Sequence, residues 1–128
     1  MSNYAIINIR DAEDSIAGRV EGVEGRFGRT SLESDHLGVS LFRYAPGKRA
    51  GTGHHHREQE EAYVVVSGSG RINLDGEIHE LREWDVVRVS PAVVRGFEAG
   101  PDGLEFIAIG SDRPEGGDGA QAPLEWKD

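Results

Sequence analysis

No apolar run in this chain is longer than five residues, Ala62 to Val66. A membrane-crossing helix needs about 18 such residues in a row, so membrane insertion through a helix is not expected. Short apolar stretches between turn formers are instead the pattern of an antiparallel β protein. Turn formers are plentiful, with 18 Gly and 5 Pro among 128 residues. That share lies well above the roughly 12% of average usage, and it favours many short strands over a few long helices. The length suits one domain with one core.

From Leu37 onward the strand signals come at short intervals. Gly38 to Tyr44 is strand-like and ends at the turn Ala45-Pro46-Gly47, with proline pre-set for the first corner. Glu61 to Val66 carries a tyrosine and three valines in succession, the most β-prone stretch of the chain. Ile72 and Leu74 alternate into Asp75-Gly76, followed by Ile78 and Leu81. An Asp-Gly pair between alternating segments predicts a hairpin, because a type I′ turn requires positive φ at both positions. Val86 to Val89 forms a further strand, closed by Ser90-Pro91. Gly100-Pro101-Asp102-Gly103 reads as a turn, and Leu104 to Ile109 as the last strand. The expected fold class is all-β, a sandwich or barrel.

The flanks read differently. Residues 1–35 are expected to be a loose arm, with a short strand at Tyr4 to Ile9 and a helical turn at Asp11 to Ala17. Gly18, Gly22, Gly25 and Gly28 are expected to break regular structure, and they do not fit a dinucleotide fingerprint. Residues 36–110 form the domain proper. Residues 111–128 read as a polar tail in which Trp126 can serve as an anchor.

Composition removes several classes of function. With 14 basic and 23 acidic side chains the formal net charge is −9, which disfavours nucleic-acid and anionic-membrane partners. There is no cysteine, which excludes disulfides, thiolate metal sites and cysteine nucleophiles. Met1 to Asp14 lacks the apolar core of a signal peptide, so a cytoplasmic location is expected.

Three of the five histidines are consecutive: His54, His55 and His56. In extended chain alternate side chains share a face, so His54 and His56 point one way and His55 the other. Two imidazoles can hold one divalent ion if a third group converges, and Glu61, at the head of the next strand, is the natural third. Two His and one carboxylate with open positions suit iron, manganese or nickel, with zinc a further option. Without an ion the same residues would be a solvated polar loop. Tyr63, two residues past Glu61, shares its strand face and either lines a pocket or joins the core. Glu58, Gln59 and Glu60 are expected to be a solvated rim. His36, His79 and Arg88 are expected at the surface.

Pro46-Gly47, then His54-x-His56, four residues, Glu61, six residues and Gly68 resembles the first motif of the cupin superfamily. Six residues rather than the usual five separate Gly47 from His54. The segment Trp84 to Ala99 resembles the second motif, with Pro91 in the place of the family's proline. The resemblance implies a small double-stranded β-helix with its pocket inside the barrel, and pairing into a homodimer. Four residues after Pro91 the family places a metal-binding histidine, and this chain has Arg95. Trp84 stands where the motif opens with glycine, and Ala99 where it closes with asparagine.

A guanidinium has no lone pair for a metal and stays charged. Two arrangements follow. In one, Arg95 forms a forked pair with Glu61, and the pocket, with Tyr63, binds a small polar or anionic molecule with weak or no metal. In the other, Arg95 stands aside and His54, His56 and Glu61 hold an ion for oxygenase or isomerase chemistry, with Tyr63 or Glu60 moving a proton. The sequence favours the first and leaves catalysis open.

Overall fold

The computed structural model describes residues 3–127. Its regular structure is almost entirely strand. A single 3-10 turn, Ile9–Asp11, precedes β1 (Val23–Phe27), β2 (Gly38–Tyr44), β3 (Gly53–His55) and β4 (Glu61–Leu74). β5 (Glu77–Leu81), β6 (Val86–Val89), β7 (Arg95–Gly110) and β8 (Ala120–Ala122) follow. Every pairing is antiparallel, and the eight strands form one sheet that curls on itself. Among the described residues no helix is long and apolar enough to cross a membrane.

Two long strands organise the barrel. β4 and β7 run side by side from Glu61↔Gly110 to Leu74↔Arg95, with register shifts at Val65/Ser67 and Gly68/Gly70. On either side of those bulges they take different neighbours. The first half of β4 pairs β6 and its second half pairs β5, while β7 pairs β2 through Leu104 to Gly110 and β3 at Arg95. A bulge bends a strand without ending it, so each long strand serves both walls of the barrel. The expected turn at Gly100 to Gly103 is therefore a bend inside continuous β7.

Strand parity builds the core. Tyr63, Val65 and Ile72 of β4 and Phe97, Ala99, Leu104, Phe106 and Ala108 of β7 point inward and are buried. Phe97 stacks on Phe106 at 4.1 Å, and Tyr63 meets Phe97 edge-on at 5.0 Å. The Asp75-Gly76 hairpin forms as expected, with φ of 54° and 93°. Trp84, standing where the resemblance expects glycine, adopts φ 73° and donates its N–H to the Val65 carbonyl at 2.8 Å. A tryptophan thus occupies a left-handed conformation that glycine would take without strain.

Both flanks differ from expectation. Tyr4 to Ile9 is not a strand, and Tyr4 and Ile6 are exposed. The glycine-bearing stretch that should have broken regular structure forms β1 and pairs with β2 in full register. The polar tail adds β8 alongside β3. Trp126 anchors that tail, donating to the Ala50 carbonyl at 3.0 Å with the Arg49 guanidinium 4.9 Å above its ring.

Candidate metal centre

The site is assembled where β3, β4 and β7 meet. Glu61 opens β4 with the same inward parity as Tyr63 and Val65. His54 on β3 lies directly opposite Arg95, the first residue of β7. His56 follows the end of β3, held by its own N–H on the Pro91 carbonyl at 2.7 Å. Arg95 is fixed from the other side, because Asp75 and Val94 exchange hydrogen bonds of 2.8 Å immediately before it.

One atom is the focus. Glu61 Oε1 lies 3.5 Å from His54 Nε2, 3.3 Å from His56 Nε2 and 3.8 Å from Arg95 Nη2, and accepts from the Tyr63 hydroxyl at 2.5 Å. The ligand atoms of His54, His56 and Glu61 all fall within 4.8 Å of one another. Burial pushes the Glu61 carboxyl up, but hydrogen bonds from His54 and Tyr63 and the charge of His56 outweigh it and hold it below the ordinary range. Burial and the neighbouring Glu61 charge push the Tyr63 hydroxyl well up, so it stays protonated and donates. Glu60 pairs with Arg88 at 3.1 Å among exposed side chains and does not line the site, and so is not placed to move a proton there.

Asp118, from the tail, sets the orientation of His56. Its Oδ1 lies 2.9 Å from His56 Nδ1, and its Oδ2 accepts the backbone N–H groups of Arg57, Glu58 and Gln59 at 2.6–3.0 Å. Burial raises the Asp118 carboxyl, yet the Glu58 and Gln59 N–H groups and His56 carry it far below the usual carboxylate range. A carboxylate only accepts, so His56 Nδ1 carries a proton, and Nε2 is the ring nitrogen left to face the site. His56 Nε2 is buried and has no hydrogen-bond partner. An orphaned ring nitrogen of this kind, beside a second imidazole and a carboxylate, is a donor set that fits a divalent metal.

Arg95 does not form the forked pair and is turned aside to the main chain. Its side chain is fully buried, and no forked pair with Glu61 forms; the nearest approach is the single 3.8 Å contact. The Nη atoms instead face the carbonyls of His54, Pro91 and Ser90 at 3.3–3.5 Å, and Nε has no partner. Main-chain oxygens satisfy most of its donors because Ser90-Pro91 and His54 surround the start of β7. Gln59, expected in a solvated rim, is buried against His56 and Asp118. His36, His79 and Arg88 are exposed, as their positions suggested.

Two cavities meet at the triad. An inner one of about 80 Å³ is lined by His54, Glu61, Tyr63, Arg95 and the aromatic rings of Phe42 and Phe106. That is room for about two or three waters. An outer one of about 330 Å³ shares His54 and Glu61 and adds His56, Gln59, Arg29 and Arg113. It is the roomier of the two and has space for a small molecule beside the triad.

A curled antiparallel barrel carrying two histidines and a glutamate on its inner wall defines a class of small β-barrel proteins. The family model of the cupin domain matches residues 40–110, and the chain belongs to this family. Over 70 residues it is 33% identical to dimethylsulfoniopropionate lyase DddW of Ruegeria pomeroyi, covering 55% of this chain and 43% of that protein. The chain thus spans less than half the length of that curated relative. A cupin protein of Bacteroides fragilis matches 90% of this chain and 89% of its own, with TM-score 0.72 and 26% identity. Oxalate decarboxylase of Bacillus subtilis matches 92% of this chain and 32% of its own at 20% identity and TM-score 0.74, a likeness of fold.

Proposed function

We propose that this cupin holds a divalent transition metal on His54, His56 and Glu61 and binds a small polar or anionic molecule beside it. The observation that carries this reading is the buried, partnerless Nε2 of His56, aimed at Glu61 while Asp118 occupies the other ring nitrogen. Iron(II), manganese and nickel suit two imidazoles and one carboxylate, and zinc is compatible. A bound ion would act as a Lewis acid toward a substrate oxygen.

The chain's own residues define the rest. Tyr63 donates to Glu61 and keeps it ionised and oriented. The Arg95 charge, shielded by carbonyl oxygens, offsets that of Glu61 without ligating. The inner cavity is too small for more than a few atoms, so the bulk of any substrate lies in the outer one. Metal-dependent catalysis, of oxygenase or isomerase type, is the activity this arrangement serves. The test is metal binding by untagged protein incubated in turn with iron, manganese, nickel and zinc. Near-stoichiometric uptake that His54→Ala and Glu61→Ala abolish supports the reading. Uptake below one ion per ten chains overturns it in favour of a metal-free binding protein.

A further inference from the structure

The outer cavity carries charge that the triad does not explain. Its lining includes two arginines, Arg29 and Arg113, in a chain of net charge −9. Six of the twelve arginines pair with carboxylates: Arg10 and Arg43 with Glu105, Arg49 and Arg71 with Glu98, Arg26 with Glu24, Arg88 with Glu60. Among the described residues neither Arg29 nor Arg113 has a carboxylate oxygen within 4.0 Å. Arg29 uses one donor on the Ser111 carbonyl at 3.1 Å, leaving the rest of its fork unengaged by any described side chain. Asp112, the carboxylate between them in sequence, is turned to His36 at 2.8 Å. The two guanidiniums are close enough to repel, since Arg113, after burial, disfavours the charged form of Arg29 while Asp112 opposes it.

Two like charges with no carboxylate paired to either, lining the same cavity as His54, His56 and Glu61, are complementary to an anion. A guanidinium fork matches a carboxylate in particular. We infer that Arg29 and Arg113 form a carboxylate-binding mouth, so that the molecule this protein takes is a small organic acid held by its carboxylate at Arg29 and Arg113 with its other end toward the triad. The inference deepens the proposed function and rests on it only for what lies at the inner end. The mouth itself is made of residues that bind no metal. It also moves the anion site away from Arg95, whose donors already face main-chain oxygens.

Calorimetric titration with acetate, malonate and succinate, and with succinamide as the neutral control, tests it on protein with and without added manganese. At least one acid should bind the parent, and succinamide should bind at least tenfold more weakly than succinate. Each of Arg29→Gln and Arg113→Gln should weaken acid binding about tenfold, the loss of one charge-assisted contact. Arg29→Lys, which keeps the charge, should retain more than Arg29→Gln, and circular dichroism confirms that each variant is folded. Manganese content of the double Gln variant should equal the parent's. Acid affinity unchanged in that double variant, no acid bound by the parent in either state, or succinamide bound as well as succinate would overturn the mouth. Failure of the metal reading is seen separately, as absent manganese in the parent, and acid binding lost with the arginines in that metal-free protein still supports the mouth.

Discussion

Asp118 reaches His56 from 62 positions along the chain and decides which nitrogen faces the site. Removing its charge should loosen the ring and lower the basicity of Nε2. Asp118→Asn is therefore expected to weaken metal binding roughly tenfold to hundredfold, read by competition with a chelator. Affinity equal to the parent's would show that the contact is structural only. Arg95→His tests the opposite wall. It supplies an imidazole across from His54 and should tighten metal retention, even though losing a buried guanidinium from three carbonyls lowers the melting temperature. His54, His56 and Glu61 were legible in the sequence because strand parity and short spacing suffice to bring them together. Asp118 was not, since its partner is distant in sequence and a polar Gly-rich stretch resembles any solvated tail. Gln59 was misread for the same reason: Asp118 and Gly110, which help to bury it, lie far along the chain.

At the scale of elements, the crossing of β4 and β7 leaves no room at Gly68. Its φ is +80°, and an added Cβ would lie 2.1 Å from the Gly103 carbonyl oxygen, a main-chain atom that cannot yield cheaply. Gly68→Ala should cost at least about 2 kcal/mol, combining backbone strain with a clash. A melting temperature within a degree of the parent's would contradict that geometry. Trp84 is the converse case, a large residue in a glycine-like turn. Trp84→Val, β-branched, should be less stable than Trp84→Gly by about 1–2 kcal/mol, measured by urea unfolding. The Asp75-Gly76 hairpin was readable because its turn chemistry is local. Gly100-Pro101-Asp102-Gly103 was not, because the same residues serve a reversal or a bend, and the bulged partner strand at Gly68 and Gly70 decides which. β1 escaped notice because Gly25 is needed there for close packing, where an added Cβ would meet the Ile16 side chain at 2.4 Å.

Across the whole molecule, the tail is tied down by charge as well as by β8. Glu98 accepts from both Arg49 and Arg71, and the two guanidiniums lie over the Trp126 ring at 4.9 and 5.7 Å. Burial raises the Glu98 carboxyl, but the two arginines outweigh it and hold it below its ordinary value. A carboxyl depressed in the folded state contributes stability that is complete above its unfolded pKa and disappears as pH falls through the folded one. The melting temperature should therefore drop below about pH 4. Glu98→Gln should melt lower than the parent at pH 7 and converge with it in acid. Parallel curves would show that Glu98 titrates no differently in the folded chain.

The central claim is that the three convergent donors hold an ion. It is tested most directly by elemental mass spectrometry of untagged protein after incubation with manganese and removal of free metal. One ion per chain in the parent, falling to background in His56→Ala, is the expected result. A metal-free parent would contradict the claim, leaving Arg95 as the charge that balances Glu61 in a barrel that binds its ligand without metal.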